Sequence, residues 1–366
     1  MGQDVERTDE NSVVGMEKKK RVTIKELARE AGVSVGAAST VLSGCTSTNV
    51  HVSEETRQRV LRVAEALHYV PNVTARAMQS RRSYLLGFFY SMRNHYLQAG
   101  ILRGLREVCR NQGCDIIIYP AEDVEEERLN LTSAHAGTLD GVVTIPFIDG
   151  DVNLELYRRL HAAGTPVIQL LSQLDSRFPC LMRDYRRIGR EAVLRLAALG
   201  HRRIGLMLFA NYLDRRVGPN SWGLHQGALD ARQECGAEVI LYPLSTSHLR
   251  VDMIRGADAI TARLLGEDPR PTALVTVSSN LAYGAFACLT RAGLSVPGDI
   301  SLIACGDDTE PFWQLAPNLT IFPIPLEEFG RQSAEFCLGR RKAEELNTRI
   351  YLPMREGDTI CPPAKA

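Results

Sequence analysis

Hydrophobic positions follow two regimes along the chain. Between residues 22 and 70 they recur at helical spacing in three short runs; from Tyr84 onward compact apolar runs alternate with longer amphipathic stretches. In the first run, TIKELAREAG, Ile24, Leu27, Ala28 and Ala31 fall at i, i+3, i+4 and i+7 and make one apolar face. Thr23 is placed to cap this helix, with Glu26 three residues on to complete a capping box. Gly32 supplies the left-handed residue that ends it. Only Val33 intervenes before Ser34, the cap of a second helix over 35–43. There Ala38, Val41 and Leu42 share the inward face, whereas Gly36, Ser39, Thr40 and Ser43 share the outward one. Ser53 caps a third helix whose Val60, Leu61, Ala64 and Leu67 complete a small core. A helix, a tight glycine turn and a second helix form a helix-turn-helix unit.

The later apolar runs read as strands at 85–91, 114–120, 141–147, 166–171, 203–210, 239–244, 272–277 and 300–305. Continuously apolar strands alternating with helices predict a parallel sheet covered on both faces. About ten strands are too many for one such sheet, so two α/β lobes are expected. Ligands bind outside the carboxyl ends of the strands in these sheets, and two lobes face each other across a closing cleft.

Charge separates the same two regimes. The 366 residues carry 43 Lys+Arg and 43 Asp+Glu, yet residues 18–83 carry a net +7, residues 1–17 a net −4 and residues 84–366 a net −3. A basic module on a mildly acidic body points to a polyanion partner. Disorder as the dominant state is excluded by 45% hydrophobic residues. The best apolar stretch, 273–289, is interrupted by polar residues and too short to span a bilayer, so no membrane partner is expected. Nine scattered cysteines without CxxC, and no secretory leader, give a cytoplasmic expectation. No HExxH, GxSxG, GxGxxG or GxxxxGK occurs and the eight histidines are isolated; neither an enzyme nor a cofactor or metal is expected.

VTIKELAREAGVSVGAASTVLSG followed by VSEETRQRVLRVAEALHYVPNVTARAM resembles the DNA-binding headpiece of the LacI/GalR family of bacterial transcription regulators. LDGVVTIP, LGHRRIGLM, GLSVPGDISLI and PNLTIFPIPLEEFGRQSAE resemble its effector-binding domain, which is similar to periplasmic sugar-binding proteins. The resemblance implies an α/β fold class: an all-α helix-turn-helix headpiece, then a two-lobed periplasmic-binding-protein-like domain of parallel sheets flanked by helices. Its boundaries would be a disordered tail at 1–20, a headpiece at 21–70, a hinge helix and linker at 71–83 and the effector and dimerisation domain at 84–366. Lobe one would comprise 84–181 and 322–343, and lobe two 182–321 and 344–366.

By the same resemblance the second helix enters the major groove. Val35, Gly36 and Thr40 stand at its base-reading positions, with Thr40 where Arg is common. Ser34 and Ser39 are the candidate phosphate contacts, and Thr23 is a further candidate DNA-binding residue. Asn72, Arg76 and Met78 fall in the hinge segment, Met78 as a minor-groove wedge where the family usually has Leu; Arg81 and Arg82 follow near the backbone. In the cleft, Asp184 matches a family Asp, and Asp307 or Asp308 the pocket Asp. Ser278-Ser279 stands in place of the usual Asn-Asp, with Asn280 next. The arginine before Gly223 is absent, with Arg215 upstream; Tyr96 and Trp222 are candidates to stack on a sugar face.

The expected function is repression from a palindromic operator in duplex DNA by a homodimer, with a tetramer left open. A small effector, a sugar or related metabolite, sets the affinity. The alternative is a DNA-binding regulator with a degenerate, non-responsive pocket.

Overall fold

The computed structural model describes residues 22–43, 52–69, 82–92, 95–134, 137–147, 153–210, 219–245, 250–306 and 318–364. The expected tail at 1–20, the hinge segment up to Arg81 with Asn72, Arg76 and Met78, and Arg215, Asp307 and Asp308 lie outside them. The chain divides into two units, Met1–Gln79 and Ser80–Ala366.

The first unit holds α1 (Ile24–Glu30), α2 (Val35–Ser43) and α3 (Glu54–Ala66). Side chains satisfy the helix starts locally. Thr23 Oγ1 accepts the Glu26 N–H at 3.3 Å while the Thr23 N–H donates to Glu26 Oε2 at 2.7 Å, the reciprocal pair of a capping box. Ser34 Oγ accepts the Ala37 N–H at 3.1 Å and Ser53 Oγ the Thr56 N–H at 3.3 Å. Gly32 turns the chain between α1 and α2 at φ 65°. Leu27, Ala28, Ala31, Ala38, Val41, Val60 and Ala64 are buried together; six of these side chains are no larger than valine, which lets three short helices approach closely. Arg59 Nε of α3 donates to the Ala31 carbonyl at 3.0 Å and closes the end of α1. One expectation is corrected: Leu61 is 42% exposed. It follows Val60 by one residue, about 100° round the helix, off the stripe made by Val60, Ala64 and Leu67.

The second unit contains two sheets. β1 (Leu85–Ser91), β2 (Asp115–Ala121), β3 (Gly141–Ile145), β4 (Val167–Leu170), β5 (Cys180–Arg183) and β11 (Arg349–Ile350) form one, in the order β11-β5-β4-β3-β1-β2. β6 (Arg203–Phe209), β7 (Glu238–Leu244), β8 (Ala273–Thr276), β9 (Ser301–Cys305) and β10 (Thr320–Phe322) form the other, in the order β10-β9-β8-β6-β7. Every ladder is parallel. The helices are α4 (His95–Gln112), α5 (Val124–Ser133), α6 (Leu154–Ala162), α7 (Tyr185–Ala198), α8 (Pro219–Cys235), α9 (Arg250–Leu264), α10 (Ser279–Arg291) and α11 (Leu326–Cys337). β3, β4, β8 and β9 are buried throughout, as helices on both faces require, whereas the edge strands β2 and β7 are partly exposed.

The chain passes between the sheets three times, at 183–185, 322–326 and 350–355. This corrects the expected lobe limits: residues 182–183 and 349–350, expected in lobe two, pair with each other in the first sheet. The last residues then return to the second sheet, where the Leu302 N–H donates to the Thr359 carbonyl at 2.7 Å. Two side-chain anchors bind the crossings. Arg183, 1% exposed, donates from Nη2 to the Phe322 carbonyl at 2.6 Å and lies 5.2 Å from the Tyr185 ring centroid. Arg187 lies 3.6 Å from the Tyr351 ring centroid, and both residues bond Glu191.

Close helix pairs flank the sheets. A Cβ at Gly104 of α4 would overlap the Glu327 carbonyl of α11, and one at Gly227 of α8 would overlap the Arg186 carbonyl of α7. Arg82 lies 3.3 Å from Asp140. Among the described residues eight cysteines are free, no helix is long and apolar enough to cross a membrane, and no side-chain cluster fits a metal ion.

Candidate functional site

The surface of α2 is one candidate. Ser34, Val35, Gly36 and Ser39 are exposed, Val35 at 41%. No charge or bulky side chain lies on this face, so another surface can approach its backbone. Thr40, half-buried, donates from Oγ1 to the Gly36 carbonyl at 3.0 Å. Thr23 is exposed and engaged with Glu26 as a cap.

The second candidate lies in the other unit, at the carboxyl ends of β4, β5 and β11. A cavity of about 620 Å³ is lined by Gln173, Met182, Asp184, Tyr185, Arg186, Pro219, Trp222, Gly223 and Arg349. Local chemistry sets each wall. The β4–β5 loop is wound around Gln169, whose amide donates to the carbonyls of Asp175 at 2.8 Å and Phe178 at 3.2 Å while accepting the N–H of Leu174 at 2.8 Å. Asp175 holds the same loop, accepting from Arg158 Nε at 2.8 Å and from the Arg177 N–H at 3.0 Å; this loop carries Gln173. Asp184 caps α7 by accepting the Arg187 N–H at 3.1 Å. On α8, Ser221 Oγ takes the Phe209 N–H at 3.2 Å and Gly223 fits against Tyr185, leaving Trp222 half-buried at the cavity.

Electrostatics differ around this wall. Burial raises the Tyr185 hydroxyl above its ordinary value, with the Arg183 guanidinium opposing, and burial pushes the Cys305 thiol up to about 12. For Asp175 burial acts upward, but the Arg177 N–H and the Arg177 and Arg158 side chains outweigh it and hold the carboxyl at about 2. Its folded value lies below its ordinary 3.8, so the stabilisation is full above 3.8 and is lost as pH falls towards 2. Asp175→Asn should cost about 2 kcal/mol at pH 6. The gap from the unsubstituted protein should shrink in urea melts from pH 4 to 2.5; a constant gap would show that Asp175 acts through packing alone.

Of the residues expected in the cleft, the structure brings Asp184 and Trp222 together. Ser279 and Asn280 open α10 at the end of β8, buried, and are not among the cavity lining. Ser279 abuts Gly306, where a Cβ would overlap it, and Asn280 Nδ2 is buried without a partner among the described residues. Tyr96 lies in α4, its side chain outside the description. Gln173, Met182, Arg186 and Arg349 were missed. Arg349 sits in a two-residue strand with no periodicity to read, and Gln173 in a loop held by buried polar bonds.

Two family models match in series: bacterial regulatory proteins of the lacI family over residues 23–72, and a periplasmic binding protein-like domain over 193–356. Catabolite control protein A of Priestia megaterium is 28% identical over 91% of this chain and 97% of its own length. The ribose operon repressor of Haemophilus influenzae is 28% identical over 90% and 95%. In fold, the chain is similar to the lac repressor dimer bound to operator and the anti-inducer ONPF. The TM-score is 0.69 and the identity 22%, over 93% of this chain and 100% of that one. With a helix-turn-helix unit that matches the lacI-family model at one end and paired parallel sheets that match a periplasmic binding protein-like model at the other, the chain is a DNA-binding regulator of transcription similar to the LacI family along nearly its whole length.

Proposed function

We propose that the protein represses transcription by binding a near-palindromic operator as a homodimer, its affinity set by a small effector in the cleft between the two sheets. The observation that carries the reading is the exposed, small and uncharged face of α2 within a segment of net charge +7. Val35 meets a thymine methyl, Gly36 lets the backbone close on the groove, and Thr40 touches a base edge. Thr23, Ser34 and Ser39 contact phosphates, while Asn72, Arg76 and Met78 act in the minor groove. A dimer follows from size, because one small headpiece buries too little surface for specific binding at physiological salt.

In the effector domain, Asp184 and Trp222 line the cavity, and Tyr96, Arg215, Ser279, Asn280, Asp307 and Asp308 complete the effector contacts. The unsatisfied Asn280 amide at the end of β8 supports this, since a buried donor is costly unless something pairs with it. The ligand is a carbohydrate or related metabolite, the class named by the ribose operon repressor among the relatives. A second reading, a regulator whose pocket no longer responds, is favoured by the missing arginine ahead of Gly223, where Asn220 and Ser221 stand within α8.

Selection of duplexes from a random pool by the purified full-length protein tests the proposal. A recovered palindrome bound at least about 10³-fold above random competitor supports it; equal affinity for all duplexes overturns it. Affinity for that operator should fall by about 10³ between 50 and 200 mM salt, through counterion release from six or more phosphates. A flat response in fluorescence anisotropy would remove the basic segment from the interface. Met78→Ala should weaken operator binding more than non-specific binding, and equal losses on both duplexes would dispose of the wedge.

A further inference from the structure

We infer that Asp140 is a positioning residue for operator binding: it fixes the direction in which the chain leaves the effector domain toward the DNA-binding unit, and so the half-site spacing that the dimer accepts. The inference rests on the reading of the protein as a dimer on a near-palindromic operator and adds the residue that sets its geometry.

The Asp140 side chain, 9% exposed, collects donors from three consecutive residues at the entry to β1, just past the boundary between the two units at Gln79. Oδ1 accepts the Ser83 N–H at 2.7 Å and the Ser83 hydroxyl at 2.9 Å. Oδ2 accepts the Tyr84 N–H at 3.2 Å and lies 3.3 Å from Arg82 Nε. Tyr84 shows what this clamp does. Its φ of 59° falls in the left-handed region, which a bulky residue adopts only at a cost. It is held there from both sides, its N–H by Asp140 and its carbonyl by the Asp115 N–H of β2 at 2.8 Å. Such a conformation persists only where its neighbours over-determine it. The turn at Tyr84 therefore aims residues 82–83, and Asp140 holds the turn.

The clamp is tied to elements that reach the cleft. Asp140 immediately precedes β3, which is buried throughout and lies beside β4 in the sheet. Arg82 also donates from Nη2 to the Leu338 carbonyl at 3.4 Å, one residue beyond α11. α11 starts at the second crossing between the sheets, and its 12 residues span about 18 Å. At its far end Cys337 abuts Gly141, next to Asp140, so closely that a Cβ there would overlap it. One helix thus connects the crossing to the clamp, and packed rigid elements are what carry coupling between distant sites.

Fluorescence anisotropy on the full-length protein tests this with three duplexes: the operator recovered by selection, the same operator with a base pair added between its half-sites, and a random duplex. The unsubstituted protein should lose about tenfold or more on the lengthened operator, whose half-sites are displaced and rotated. Asp140→Ala should bind the operator about tenfold more weakly and lose less than about threefold on lengthening, its exit being no longer fixed. Its affinity for the random duplex should stay within about twofold, because non-specific binding follows the unchanged basic segment. Asp140→Asn keeps one acceptor oxygen for Ser83 and should fall between. A loss of stability alone would lower the active fraction and leave the spacing penalty as it was. Should Asp140→Ala not fold, the double variant Arg82→Gln/Ser83→Ala, which removes two of the clamp's donors at the surface, decides in its place. An Arg82 that instead touched phosphate would lower all three affinities alike. A spacing penalty unchanged in the deciding variant, or absent from the unsubstituted protein, overturns the proposal while leaving the operator reading intact. If the unsubstituted protein prefers no duplex at all, the operator reading itself fails.

Discussion

Gly227→Ala is expected to lower the stability of the effector domain by about 3 kcal/mol and its Tm by roughly 6–10 °C. The added Cβ would overlap the Arg186 carbonyl, a backbone atom that no rotamer change can move aside. α7 and α8 would have to separate. They also carry Asp184, Tyr185 and Trp222, so the cavity would widen with the shift and effector affinity should fall together with the Tm. Calorimetric melting and ligand titration check both; a Tm within 1 °C of the unsubstituted protein would mean that the two helices are loosely packed.

Ser39→Glu tests the other unit and is expected to act on binding alone. Ser39 is exposed near the middle of α2 and contributes nothing to the buried cluster of Leu27, Ala38, Val41 and Val60. The headpiece should keep its circular dichroism. Operator affinity should drop about 10²–10³-fold, because a carboxylate set against phosphate costs several kcal/mol. A loss below threefold would show that this face of α2 does not meet DNA.

Much of the fold was legible because it is local. Thr23, Glu26, Ser34 and Ser53 declare helix starts within three residues of themselves, and the apolar run at 85–91 coincides with β1. What escaped depends on distant partners. β5 ends in Arg183, which reads as a polar residue and is buried only because the Phe322 carbonyl, far along the chain, accepts from it. β11 is two residues long and exists by pairing with β5. Leu61 looked like core because a helical stripe read without neighbours is one residue too generous. In the cavity, Asp184 and Trp222 were found through resemblance and ring chemistry. Arg349 was not, since it sits in a two-residue strand that has no periodicity to read and meets the cavity only through its pairing with β5.

The three crossings between the sheets have a mechanical consequence. Two bodies joined by one strap can swing, twist and slide; joined by three side by side, with the buried Arg183 fastening the first to the second, they are left one easy movement, a rotation about the line through the straps. Whatever occupies the space between them is then reported to the rest of the molecule as a single angle, wherever inside it makes its contacts.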